Sequence, residues 1–172
     1  MNELINNKLS IPTIALIIFN KENNKFLLLK NKRGKYGFLT EKHKEKGNYQ
    51  NDILLSKEES LKQTAQRGAK EELDLDIYFH ELEEVDNFET ESLIKDQEGI
   101  LFTTTVFILK YDSRLHPNIK INEPDKCIAL EWFTFKEIEK LSNTESLRIL
   151  SKEILRRKII YHISIGWNKF II

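Results

Sequence analysis

Residues 59–75 have the sequence ESLKQTAQRGAKEELDL, and the interpretation of the whole chain starts from this stretch. An α-helix advances about 100° per residue, which places Leu61, Ala65 and Ala69 on one apolar arc. The positions between them are mostly polar or charged. The pattern therefore predicts an amphipathic helix whose apolar arc packs against a core.

Residues at both ends of the stretch favour a defined helix. Ser56 with Glu59, and Ser60 with Gln63, both have the spacing of a capping box, which satisfies the first backbone N–H groups of a helix. The helix is expected to begin at one of these two serines. Asp74 is expected to end it in the left-handed conformation, which aspartate tolerates less comfortably than glycine.

Two adjacent acids, Glu71 and Glu72, lie near the end of the predicted helix, and Arg67 shares their arc. Mg²⁺ prefers oxygen ligands and usually takes one or two carboxylates together with water and substrate phosphates. Taken alone, the three residues also fit a solvated helix end in which Arg67 and Glu71 form an i,i+4 ion pair. The surrounding pattern favours metal binding.

That pattern resembles the Nudix hydrolase box: Gly, five residues, Glu, seven residues, Arg-Glu, an apolar residue, any residue, Glu-Glu, any residue, Gly and an apolar residue. The matching positions are Glu59, Arg67, Ala69, Glu71, Glu72 and Leu75. Three positions depart from the box. Ile53 stands in place of the first Gly, Gly68 in place of the Glu after Arg, and Asp74 in place of the last Gly.

The resemblance implies a fold of the α+β or α/β class, namely an α/β/α sandwich with a mixed β-sheet, in one domain over residues 1–172. It implies a hydrolase that cleaves the pyrophosphate of a nucleoside diphosphate linked to another moiety, with Mg²⁺ or Mn²⁺ as cofactor. Glu59, Glu71 and Glu72 would be the metal ligands. Arg67 would form a salt bridge that orients the glutamates.

Gly68 is the departure that bears most on catalysis, because the family commonly uses the replaced Glu to bind metal or activate water. The base would then be Glu59, Glu71 or a loop acid such as Glu123, for which Asp125 and Glu98 compete. A glycine inside a helix costs roughly 1 kcal/mol relative to alanine. Gly68 is therefore expected either to reflect impaired or altered catalysis or to leave space for a ligand, water or neighbouring chain.

The segment before the box also resembles the family. Tyr36, Gly37 and Phe38 match an aromatic-Gly-Phe segment, whereas residues 39–41 replace its usual Pro-Gly-Gly. Tyr36 and Phe38 are candidates for substrate contact, although aromatic residues at such positions more often belong to the core. Residues 40–57 are longer and more polar than the family pattern and are interpreted as an inserted loop beside the site.

Apolar and β-branched runs predict the remaining elements. Strands are expected at residues 12–19, 25–30, 36–39, 76–79, 82–91, 100–111 and 127–135. A short helix is expected at residues 136–141, and Thr144 is expected to cap a last helix within residues 144–172. Residues 1–10 are interpreted as an N-terminal arm. The end of the tail is expected either to pack on the body or to form a homodimer contact.

Composition narrows the class of partner. Lys+Arg and Asp+Glu both number 27, so the net charge of +0 predicts no binding to duplex DNA, RNA or an anionic membrane. No apolar run approaches the ~18 residues of a membrane helix, and the first residues do not have the pattern of a secretory signal. The single cysteine, Cys127, fits a reducing compartment. A small-molecule nucleotide substrate in the cytoplasm is expected.

Two other functions share the expected fold. The first is a catalytically inactive Nudix-like module that binds a nucleotide or a partner without hydrolysis. The second is an isomerase of isoprenoid diphosphates, which normally relies on a reactive cysteine near the site and a histidine-rich metal cluster. Cys127 in a late strand and four scattered histidines argue against the isomerase.

Overall fold

The structure is a computed structural model that describes residues 3–5, 8–44, 49–50, 53–54, 60–91 and 100–166. Its strands are β1 (Glu3–Ile5), β2 (Lys8–Asn20), β3 (Lys25–Lys30), β4 (Tyr36–Gly37), β5 (Leu39–Lys42), β6 (Tyr49–Gln50), β7 (Ile53–Leu54), β8 (Leu82–Glu91), β9 (Ile100–Tyr111) and β10 (Ala129–Phe133). Its helices are α1 (Leu61–Leu73), α2 (Phe135–Ser142), α3 (Ile149–Arg156) and α4 (Ile159–Ser164).

A mixed sheet forms the centre of the molecule, with the main strand order β10-β3-β2-β9-β8. β2 and β9 run parallel, with Leu9–Asn20 in register with Ile100–Tyr111. β1 and β5 also pair with β2, and β4 pairs with β3. The continuous apolar runs in β2 and β9 follow from this position, because a central strand is covered on both faces.

Helices cover both faces of the sheet. Successive side chains of β2 point to opposite faces, so Ile14, Leu16 and Ile18 join one core cluster and Ala15 and Ile17 join the other. The first cluster contains Ala65, Ala69 and Leu73 of α1. The second contains residues of α2, α3 and α4. The predicted α/β/α sandwich with a mixed sheet is confirmed.

The ends of α1 follow from local chemistry. Ser60 Oγ accepts the Gln63 N–H at 3.2 Å, and Gln63 Oε1 accepts the Ser60 N–H at 2.7 Å. The capping box at Ser60, one of the two predicted starts, is therefore formed, whereas Ser56 and Glu59 lie outside the described residues. Asp74 ends the helix at φ 51° and ψ 36°, in the predicted left-handed conformation.

Two predicted elements were wrong. Residues 76–79 form no strand, because Ile77 is buried and its carbonyl accepts a hydrogen bond from Gln66 Nε2 at 2.8 Å instead of joining a ladder. Thr144 does not cap a last helix, because its hydroxyl donates to the Leu141 carbonyl at the end of α2. The predicted last helix is instead α3 and α4, separated by Lys158 at φ 65°.

The chain ends and the insertion also differ in part from expectation. Within the predicted arm of residues 1–10, Glu3–Ile5 pairs with Lys8–Ser10. The first residues of the predicted 40–57 insertion belong to β5 in the main sheet. The tail at residues 167–172 lies outside the described residues. Within the described chain, no helix has the length and apolar character required to cross a membrane.

Candidate functional site

The loop that follows β9 packs on the C-terminal end of α1. Asn122 donates its backbone N–H to the Glu72 carbonyl at 2.9 Å and its side-chain amide to the Glu71 carbonyl at 3.0 Å. The Lys120 N–H reaches the Leu73 carbonyl at 3.2 Å. These bonds satisfy carbonyls that a helix end leaves without an internal partner. They also bring the next loop residue, Glu123, to the acidic end of the helix.

Glu72 is the most electrostatically perturbed acid of this region. Its Oε2 atom is buried and has no hydrogen-bond partner within the described chain. Burial, together with the charges of Glu41 and Glu123, raises the pKa of the Glu72 carboxyl to about 7. The ionised form is therefore disfavoured, because Oε2 is shielded from solvent and no described residue donates a hydrogen bond to it.

Arg67 is buried beneath the acids and connects two of them. Its Nη1 lies 3.2 Å from Glu41 Oε1 and 3.4 Å from Glu71 Oε2, and its Nη2 donates to the Lys42 carbonyl at 2.7 Å. The side chain is 3% exposed. Arg67 therefore links α1 to β5 and holds the carboxylates of Glu41 and Glu71 in place, as expected of a positioning residue.

Lys126 brings a cation to the same region. Its Nζ lies 3.2 Å from Glu123 Oε2, and the hydrogen bond to Glu123 raises the pKa of Lys126. The charges of Glu41 and Glu72 raise it as well. Glu123, the predicted loop acid, therefore reaches the site but is already paired with a basic group there.

Arg148, just before α3, was not identified from the sequence. Arg148 is half-buried, and burial lowers its pKa while the nearby charge of Glu72 opposes that shift. The guanidinium makes no hydrogen bond or salt bridge with the described residues. Gly37 leaves room for it, because a Cβ built at Gly37 would lie 2.7 Å from Arg148 Cδ. Only this packing, distant in sequence, marks Arg148 as part of the site.

The two predicted aromatic residues have different surroundings. Phe38 is fully buried in the core, so its ring has no face open to a substrate. This burial argues against the predicted substrate contact of Phe38. Tyr36 is half-buried. Its hydroxyl donates to Glu131 Oε2 at 2.6 Å, and its ring packs edge-on against Phe133. Tyr36 therefore stays a candidate through its ring rather than its hydroxyl.

The predicted metal ligands are brought together only in part. Glu71 and Glu72 are adjacent at the helix end, and Glu59 lies outside the described residues, as does Glu98. Asp125 is exposed. Across the described residues, no group of three or more His, Cys, Asp or Glu side chains is arranged to hold a metal ion unaided. The buried oxygen of Glu72 and the all-oxygen donor set nevertheless suit a hard cation completed by water and phosphate.

The family model of the NUDIX domain matches residues 10–156, which is well over half of the chain. The chain belongs to the NUDIX family. The solved structures show the same fold for this NUDIX chain. The MutT NUDIX hydrolase from Burkholderia pseudomallei is 16% identical with a TM-score of 0.62, covering 86% of this chain and 96% of its own.

Two further structures support the same conclusion about the fold. The E. coli ORF135 protein is 18% identical with a TM-score of 0.61, covering 93% of this chain and 95% of its own. A NUDIX hydrolase from Nitrosomonas europaea is 19% identical with a TM-score of 0.58, covering 90% and 89%. Comparison with curated proteins gave no significant match.

Proposed function

We propose that this NUDIX protein hydrolyses the pyrophosphate of a nucleoside diphosphate linked to another moiety, with Mg²⁺ or Mn²⁺ as cofactor. The observation that supports this most directly is the buried Oε2 of Glu72, which has no hydrogen-bond partner among the described residues. An unsatisfied buried polar group costs about 1–3 kcal/mol, and more when it is charged. A bound divalent cation would remove that cost. Glu72 is therefore better suited to binding a cation than to stabilising the fold.

Glu71 and Glu72 would hold the ion, with Glu59 as a further ligand predicted from the box. When bound, the ion supplies neutralisation of phosphate charge and lowers the pKa of a water molecule. Arg67 would keep Glu71 in place through their 3.4 Å ion pair. It would not contact substrate, because its guanidinium is already committed to Glu41, Glu71 and the Lys42 carbonyl.

In the proposed reaction, the oxygen of water attacks one phosphorus, and the bond from that phosphorus to the bridging oxygen breaks. The bridging oxygen leaves on the second phosphate, and the proton of the water passes to a carboxylate. Glu123 is the proposed acceptor, since its loop is hydrogen-bonded to the end of α1 and its charge acts on Glu72. Lys126 would hold Glu123 in place and contribute positive charge.

Arg148 is proposed to bind the pyrophosphate. A half-buried guanidinium that forms no ion pair with the described residues suits a phosphate, because its planar N–H groups match two phosphate oxygens. The charge of Glu72 acts on Arg148, which supports a site that the two residues share. A phosphate bridging Arg148 and the cation would compensate both charges together.

The test is an assay of the full chain against a panel of nucleoside diphosphate derivatives, with Mg²⁺, Mn²⁺ or a chelator. We expect metal-dependent release of a nucleoside monophosphate, lost in Glu72→Gln. Glu84→Gln is the matched control, since Glu84 is an exposed acid on β8. No turnover of any compound with either metal would refute the hydrolase.

The alternative is a NUDIX module that binds a nucleotide without hydrolysis. Gly68 favours it, because the acid that the family commonly uses there is absent. The Lys126–Glu123 pair favours it as well, since it occupies the proposed proton acceptor. Calorimetry with ADP-ribose and simple nucleotides distinguishes the two functions: binding without product formation supports the module.

The cytoplasm is proposed as the location, because the only cysteine of the chain, Cys127, is buried and unpaired. A homodimer through the tail stays a prediction, since residues 167–172 lie outside the described chain.

A further inference from the structure

Gly68 leaves space for an acid from another element. A Cβ built at Gly68 would lie 3.0 Å from Glu41 Cβ and 3.3 Å from Glu41 Cγ. It would also lie 3.2 Å from Leu39 Cδ2. Leu39 and Glu41 are two residues apart on β5, so both point to the face that α1 covers. The side chain of Glu41 thus fills the volume that a side chain at position 68 would need.

The backbone of β5 cannot easily yield this volume. Glu41 pairs with Ile14 of β2, and Leu39 pairs with Leu16, in the central part of the sheet. Glu41 Cβ is therefore fixed by the strand ladder, unlike the end of a flexible side chain. A glutamate at position 68 would therefore crowd Glu41 and Leu39, and β5 would have to shift by a few tenths of an ångström to admit it.

The carboxylate of Glu41 also lies among the charges of the site. Its Oε1 is 3.2 Å from Arg67 Nη1, and its side chain is 22% exposed. The negative charge missing from α1 at Gly68 is therefore present beside it, carried by the neighbouring strand.

We propose that Glu41 supplies, from β5, the carboxylate that the divalent-cation site lacks on α1 at Gly68. The inference rests on the proposed function, because it concerns the same site. Gly68 then marks a relocation of the acid rather than its loss. On binding, the Glu41 side chain would share its charge between Arg67 and the cation.

A purely structural Glu41 would serve only as the counterion of Arg67. The two roles differ in what a substitution changes. Loss of a counterion lowers the stability of the protein and changes metal affinity only by a few-fold, through the altered local charge, in the molecules that stay folded. Loss of a ligand lowers the affinity for metal in protein that is demonstrably folded. Metal binding without substrate therefore separates the roles without relying on activity.

The experiment measures Mn²⁺ binding to the full chain by the loss of the free-Mn²⁺ electron paramagnetic resonance signal. Wild type is compared with Glu41→Gln, Gly68→Glu and the double variant Glu41→Gly/Gly68→Glu. Glu84→Gln serves as the control. Thermal unfolding in chelator shows which variants are folded. Glu41→Gln decides the question alone if the double variant does not fold, because it keeps the shape of the side chain.

We expect Glu41→Gln to weaken Mn²⁺ binding about 10-fold or more, the size typical for loss of a group that supports a metal site. Gly68→Glu is expected to weaken binding and stability, because it introduces a clash and a like charge. The double variant is expected to bind more tightly than either single variant, because it moves the carboxylate to α1 and removes the clash.

The outcomes separate this inference from the proposed function. Wild-type binding of Mn²⁺ with unchanged affinity in folded Glu41→Gln would overturn the role of Glu41 and leave the hydrolase intact. Absence of Mn²⁺ binding in wild type without substrate would overturn the role of Glu41, whereas the hydrolase itself would be refuted only by the absence of turnover in the substrate panel.

Discussion

Two acidic side chains near the same loop differ in how their charges are satisfied. Glu81 has a partner for each oxygen: Oε1 lies 2.9 Å from His116 Nε2, and Oε2 accepts the Tyr78 N–H at 2.7 Å. His116 in turn accepts the Asp112 N–H on Nδ1 at 3.1 Å. Glu72 has a buried oxygen without any hydrogen-bond partner in the described chain.

The difference indicates what each group does. Nearly all buried polar groups in folded proteins have hydrogen-bond partners, so a complete set such as Glu81–His116 is what the fold alone requires. An incomplete set such as Glu72 and Arg148 leaves charge to be compensated by something other than the described residues. The first group ties the loop at residues 112–116 to the start of β8, and the second is suited to a cation and a phosphate.

The largest effect expected is from Glu72→Gln. We expect about a 100-fold loss of metal affinity and activity. The metal-free protein should become more stable by on the order of 1 kcal/mol at neutral pH, because the variant removes an uncompensated buried charge. Titration with Mn²⁺ and urea unfolding in chelator measure the two changes.

The pH dependence of stability tests whether ionisation of Glu72 destabilises the folded protein. The pKa of Glu72 in the folded protein, about 7, lies above its ordinary value of 4.5. Ionisation therefore destabilises the fold, fully above the higher value and not at all below the lower one. The stabilisation by Glu72→Gln should be present at about pH 8 and absent at about pH 4. A variant that is less stable than wild type at about pH 8 would show that Glu72 serves the fold.

Substitution of His116, which partners Glu81, is expected to lower stability and to leave metal affinity nearly unchanged. His116→Ala leaves Glu81 Oε1 and the Asp112 N–H without their partners, and His116 is only 2% exposed. We expect a loss of about 2–3 kcal/mol in the free energy of unfolding, with metal affinity within about twofold of wild type. His80→Ala, at an exposed histidine, is the control for urea unfolding. A large loss of metal affinity in folded His116→Ala would show that the Glu81–His116 pair does not serve the fold alone.

Arg148→Gln should separate substrate binding from metal binding. We expect KM to rise about 10-fold, the effect of losing a charged hydrogen bond. Mn²⁺ affinity should stay unchanged or become tighter, because a cation near Glu72 is removed. Arg114→Gln is the control, since Arg114 has an 86% exposed side chain. Unchanged KM in an active Arg148→Gln variant would exclude the phosphate contact.

The sequence predicts what depends on neighbouring residues along the chain. The capping box at Ser60, the left-handed Asp74 and the strands at residues 25–30, 82–91 and 100–111 follow from local spacing and are confirmed. The relation of Gly68 to Glu41 depends on how β5 registers with β2 and then packs on α1. The box motif alone does not predict that Glu41, on β5, occupies the space beside Gly68.

Arg148 shows the same limit over a longer distance. Its place beside Glu72 requires that the segment before α3 return to β4, where the Arg148 N–H donates to the Tyr36 carbonyl at 2.8 Å. A single last helix that begins at Thr144, as predicted from the sequence, would not include this contact between Arg148 and Tyr36. Residues that complete the site come from three separate segments, and only the sheet brings them together.

The smallest effect is expected at Tyr36, whose hydroxyl is partnered in the same way as Glu81. Tyr36→Phe removes the 2.6 Å hydrogen bond to Glu131 and should cost about 1 kcal/mol or less in unfolding free energy. KM should not change, because the ring is retained. Tyr36→Leu should raise KM about threefold through loss of an aromatic contact. A rise in KM for Tyr36→Phe as well would mean that the hydroxyl leaves Glu131 to contact substrate, so a satisfied hydrogen bond would no longer identify a structural group.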